Sequence, residues 1–262
     1  MNPAANPALP SPRLRHAFGG VWRLTFPGFL SLRRLLLLAG LLGALALLTL
    51  ATTPAASPGL FFDWMIKFYL TFLLPVLAFI SGAGALRDDL KPETVDYVFT
   101  RPVPRPAFVV FKYLSHVAGL QANCLLALGV LLGVGAFRQV PGLFAALPLL
   151  LLAQVLAIGV FTAFGFLCGT LTARYLIVGL FYAGVVELGI GNIPTQLSRL
   201  SLTHQLKAML QPLATAASGS ALPAQGTATT AVLLGLVSAV MLGTAAVVFG
   251  WRELAGGKPK ES

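Results

Sequence analysis

Charged side chains are scarce in this sequence. Lysine, arginine, aspartate and glutamate make up 10% of 262 residues, while 57% are hydrophobic; a water-facing domain carries roughly 25% charged residues. The shortage excludes an ordinary soluble domain and makes lipid the expected solvent. Cysteine is rarer still. Cys124 and Cys168 are the only two, and both fall in apolar runs, so they are expected as small buried hydrophobes rather than a disulfide or metal pair. His16, His116 and His204 stand far apart with no second ligand at metal spacing, so no metal centre is expected. No G-x-x-x-x-G-K-[ST] loop occurs, which excludes ATP hydrolysis by that route. "ISGAG" at 80–84 has Phe79 where an intramembrane serine protease would need glycine. No catalytic residue is assigned, and no cofactor is expected on this chain.

What the sequence has is long charge-free windows. Nothing is charged between Arg34 and Asp63, Lys67 and Arg87, Lys112 and Arg138, Arg138 and Arg174, or Lys207 and Arg252. About 20 apolar residues in a helix cover the roughly 30 Å of a hydrocarbon core. Six spans are expected, at about 35–53, 66–86, 108–134, 143–171, 175–193 and 228–250, the fourth, long and containing Pro148, being kinked, tilted or partly re-entrant. The fold class is therefore all-α integral membrane. Glycines in "GLLGAL" and "GVLLGVG" are expected to let helices approach closely.

Six spans put both termini on one side. That side holds the arginines before residue 35, Arg87 to Lys112, Arg174, and the basic residues from Arg252 on, which is fourteen of eighteen. Both termini are therefore expected in the cytoplasm. The net charge of +10 is matched by anionic headgroups and needs no nucleic acid. The first span has too long a basic lead-in and apolar run for a signal peptide.

Residues 1–12 are expected to be a disordered tail, and 255–262 a cytoplasmic tail. Within 13–34, Leu14, Phe18, Trp22 and Phe29 fall at roughly helical spacing with Arg15 and Arg23 on another side, the pattern of an amphipathic helix in the membrane interface. The transmembrane domain is expected over 35–254. On its outer side, 194–227, Leu202, Leu206, Met209, Leu210 and Leu213 form an apolar stripe opposite Arg199, Thr203, Lys207 and Gln211, predicting a short helix that lies on, or dips into, the outer leaflet.

Four of the eight carboxylates lie in "RDDLKPETVDYVFTRPVPRP", residues 87–106: Asp88, Asp89, Glu93 and Asp96. Pro92 suits a first helical position, and the acids before it suit the positive end of a helix. Pro102 stops that helix, and "RPVPRP" continues as a stiff extended strut. The segment reads as a short helix on a rigid elbow for docking a soluble partner, or else as a solvated loop.

"ALRDDLKPETVDYVFTRPVPRPAFVVFKYLSH" resembles the segment between the second and third spans of ABC transporter permeases of the ABC-2 type. The matching positions are Arg87, Asp88 and Asp89, then Thr94, Arg101, Pro102, Val103 and Arg105, then Lys112. Glu93 after Pro92 departs from the family, which more often has glycine before the threonine. "VELGIGNIPTQLSRLSLTHQLKAML" is similar to that family's fifth span and outer segment. The resemblance implies a coupling helix in this loop that sits against a separate P-loop ATPase subunit, with Asp88, Asp89, Glu93, Thr94, Tyr97, Arg101, Pro102 and Arg105 at or near the contact. It also implies a second permease copy or paralogue, ATP used by the partner subunit, and a bacterial cell membrane. The implied function is the permease half of an exporter-type transporter.

Three polar residues inside spans are candidates for a translocation path: Glu187, Gln154 and Asn123. Glu187, the one acidic residue within a span, is read either as a functional carboxylate or as an interfacial one capping an outer cavity or pairing with Arg199 or Lys207. Gln154, Asn123 and Gln121 fit interhelical hydrogen bonds. A stand-alone carrier driven by ions through Glu187, and a non-transporting membrane scaffold, are the alternatives.

Overall fold

The computed structural model describes residues 14–89, 104–189, 201–217 and 226–251. Every element among them is helical. α1 is Leu14–Thr25, followed by a 3-10 turn at Phe26–Leu30, and α2 is Leu32–Thr52. α3 runs over Pro58–Asp89, α4 over Arg105–Phe137 and α5 over Leu143–Leu171. α6 is Tyr175–Tyr182, widening into a π-helical turn at Ala183–Gly189. α7 is Leu202–Ala217 and α8 is Thr227–Trp251.

Five helices, within α2, α3, α4, α5 and α8, are long and apolar enough to cross a membrane. The chain is an all-α multi-pass membrane protein. Of the expected crossing at 175–193 the structure describes residues 175–189, eight α-helical and seven π-helical, about 22 Å at 1.5 Å per residue. That is short of roughly 30 Å of hydrocarbon. α6 nevertheless runs antiparallel to α3, with Tyr175 beside Gly84 and Gly179 against Phe79. Pro148 lies inside α5 near its start, and the helix continues through it.

The expected helix over 13–34 is broken in two. Pro27 sits in the 3-10 turn, Ser31 is extended, and α2 begins at Leu32. α1 does more than cover the interface. Val21 is buried, Phe18 meets Phe111 of α4 edge-on at 5.5 Å, and Phe29 packs on His116 at 5.1 Å. The tails at 1–12 and 255–262, residues 90–103 and residues 190–200 lie outside the described residues.

α5 is the axis of the bundle. From Val160 to Thr170 nearly every side chain is buried. Lipid tails are as apolar as leucine, so helices in a membrane associate through close packing of small residues. α3 and α5 do so at Gly82, Gly165 and Gly169: a Cβ on Gly165 would stand 2.5 Å from the Phe79 carbonyl oxygen, and one on Gly169 2.8 Å from that of Ala83. The glycines singled out from sequence behave otherwise. Gly40, Gly43, Gly129 and Gly133 have nothing within 4 Å of a Cβ position, because they lie on helix faces with no neighbour inside the chain. Gly135 of the same motif is crowded by Phe61 and Leu143.

α3 contains a nine-residue π-helical stretch, Met65–Leu73, just before Pro75. Proline has no N–H and its ring clashes with the carbonyl four residues back. The widened register absorbs this: Leu74 N–H bonds to the Tyr69 carbonyl, five residues back.

The helix ends form two faces. On one lie α1, the ends of α3 and α8 and the start of α4, fastened where the Lys112 ammonium pairs with the Asp89 carboxylate and Phe108 stacks on Phe249. On the other, Arg138 donates to the Leu50 carbonyl at 2.5 Å, satisfying an end carbonyl of α2. There α7 is seated by Leu202, Leu206, Met209 and Leu210, all buried. Its apolar stripe thus faces the bundle, not the outer leaflet.

Candidate functional site

Helix starts leave backbone N–H groups without partners, a heavy penalty where water is scarce. α7 meets this with two side chains. Ser201 is its cap: the His204 N–H donates to Ser201 Oγ at 3.0 Å. The Leu202 N–H donates to Glu187 Oε1 at 3.1 Å and the Thr203 N–H to Oε2 at 3.1 Å. The hydroxyls of Ser201, at 2.5 Å, and of Thr203 also donate to Oε2. A carboxylate is suited to this place, since the first turn of a helix carries partial positive charge. Glu187 itself projects from the π-helical turn of α6, so it ties α6 to α7.

Glu187 borders a cavity of about 540 Å³ lined by α3, α5, α6 and α7. Lys67, Thr71, Glu187, Thr203 and Lys207 make it polar where α7 begins, whereas Phe79, Phe164 and Leu176 make the remainder apolar. Lys207, one of the partners anticipated for Glu187, lines the same cavity; Arg199 lies outside the described residues.

Gln154 and Asn123 are elsewhere. Gln154 is fully buried in α5, where the Tyr69 hydroxyl contacts its Oε1 at 2.9 Å and the Cys124 carbonyl at 3.0 Å. Tyr69, Cys124 and Asn123 line a separate cavity of about 200 Å³ between α2, α3 and α4. The three in-span candidates therefore divide between two places. Tyr69 escaped the sequence reading, although a phenol within an apolar run signals a hydroxyl in need of a partner. A second polar pair it missed is His116 with Ser81, 3.3 Å apart.

Of the candidate coupling residues, Asp88, Asp89 and Arg105 are described. Asp88 and Arg105 are exposed at the ends of α3 and α4, and Asp89 is half-buried against Lys112. The end of α3 and the start of α4 are thus joined by an ion pair. Glu93, Thr94, Tyr97, Arg101 and Pro102 lie outside the described residues.

Neither models of known protein families nor curated proteins match this chain.

Proposed function

We propose that the chain is the membrane-spanning permease subunit of an ATP-driven transporter of the ABC-2 type, working as a pair around a translocation path and coupled to a separate P-loop ATPase. The observation that carries this is the acidic, proline-rich connection between α3 and α4, with its base held by Asp89 and Lys112. A lever needs a stiff root. An ion pair whose side chains are only 19% and 13% exposed loses less to solvent screening than a surface pair does. In this reading the connection faces the cytoplasm of a bacterial cell, both termini lie on that side, and ATP binding in the partner moves α3 and α4 together. An ion-driven carrier acting through Glu187 has less support, because four donors already occupy that carboxylate.

Coupling is tested by looking for a P-loop ATPase in the reading frames beside this one, reconstituting the chain with it and measuring ATP hydrolysis with and without permease. Asp89→Lys or Lys112→Asp alone should abolish stimulation, and the double exchange should restore most of it. Reversal of Asp88 and Asp89 together should uncouple hydrolysis from transport. Full coupling in that last variant would place the ATPase contact elsewhere.

A further inference from the structure

We propose that the cavity between α3, α5, α6 and α7 binds an anionic membrane lipid, its acyl chain among Phe72, Val76, Ile80 and Leu180 and its phosphate on Lys67 and Lys207. This goes beyond the permease reading and requires no ATPase. At about 540 Å³ the space falls within the roughly 300–1,000 Å³ of small-molecule sites. It is built like an amphiphile, with its polar groups gathered where α7 starts and aromatic and aliphatic side chains elsewhere. It opens sideways between α3 and α6, where Leu180 is 77% and Phe72 57% exposed, so a chain can enter from the bilayer.

The charges decide the headgroup. Two ammonium groups and one carboxylate line the polar end, but the carboxylate is Glu187, already engaged by the start of α7. Among the described residues Lys67 is held only by Asp63, 2.8 Å away one turn back in an exposed pair, and such pairs exchange partners at little cost. Among the described residues no carboxylate pairs with Lys207. Lysine is a compact charge on a long apolar stem, which lies along the cavity wall while its head takes a phosphate. An apolar helix from a second copy would cover both ammonium groups without giving them a counter-charge, which is costly.

The test uses the full chain in phosphatidylcholine vesicles carrying a trace of phosphatidylglycerol with a photoreactive diazirine at the end of one acyl chain. Irradiation should label peptides around Phe72–Ile80 and Leu180. The double substitution Lys67→Gln and Lys207→Gln should lower labelling on the order of tenfold, the loss of one to two charge-assisted hydrogen bonds. Lys207→Arg should label like wild type. Val76→Trp should block labelling by filling the cavity while keeping both lysines. Equal labelling by the matching phosphatidylcholine probe, or no change in the double variant, would overturn the proposal. So would displacement of the lipid by excess soluble glycerol phosphate, or crosslinking of Leu180→Cys between two copies with loss of lipid labelling. Labelling needs neither ATP nor a partner, so its failure and the failure of coupling are separate results.

Discussion

A carboxylate in an apolar run invites a catalytic or ion-carrying role, yet Glu187 spends its lone pairs on the first turn of α7. Its removal strands two backbone amides and two hydroxyls. Glu187→Ala should therefore destabilise the protein by about 1–3 kcal/mol, and Glu187→Gln by less, since one acceptor oxygen remains. Hydrogen exchange reads this directly: the amides of Leu202 and Thr203 should exchange faster in the alanine variant, while those in the middle of α5 should not change. Unaltered protection at Leu202 would show that the cap carries no weight. The sequence made Glu187 conspicuous, and Ser201 with Thr203 is an ordinary helix-start signal. Nothing in the spacing announced that the two belong together. Gln154 is a parallel case: its polarity was plain, but its partner Tyr69 lies 85 positions away.

At the scale of helices, the close approach of α3 to α5 depends on glycines that no simple motif distinguishes. Gly165→Ala would press a methyl against the Phe79 carbonyl and the Ala83 nitrogen, backbone atoms that cannot rotate away. A loss of about 1–3 kcal/mol is expected, read as a lower melting temperature in detergent. Gly235→Ala in α8, with open space around it, should leave melting unchanged or raise it slightly, because alanine favours helix. Equal effects at the two sites would contradict the packing. The helix boundaries were largely legible from charge-free windows, because each long run of apolar residues can satisfy its backbone only as helix. The break at Ser31 and the π-helical stretch before Pro75 were not, since each is a local adjustment to a neighbouring element or a proline clash.

For the whole molecule, the expectation that concerns function most is sidedness. Basic residues concentrate at the ends of α3 and α8 and at the start of α4, so that face is expected in the cytoplasm. Both native cysteines are buried, which leaves a quiet background for thiol labelling. Thr94→Cys should react with a membrane-impermeant maleimide only in inverted vesicles, and Ala55→Cys, in the exposed turn between α2 and α3, only in intact cells. The reverse pattern would invert the topology and remove any route to a cytoplasmic ATPase. The same pair of labels checks that α3 crosses the membrane.

Composition and period alone determined that this chain lives in lipid, where its long helices lie, and that its acids cluster in one connection. Those are properties of consecutive residues, and a bilayer imposes them segment by segment. Tertiary structure decided which face of each helix meets a neighbour. It turned the stripe of α7 inward, left Gly40, Gly43, Gly129 and Gly133 facing outward but Gly135 packed inside, gave Glu187 to a helix start and Gln154 to Tyr69, and opened a lysine-rimmed cavity between α3 and α6. Such outcomes depend on the rotation of each helix about its own axis, and hydrophobicity cannot set that rotation in a bundle that is apolar on nearly every side.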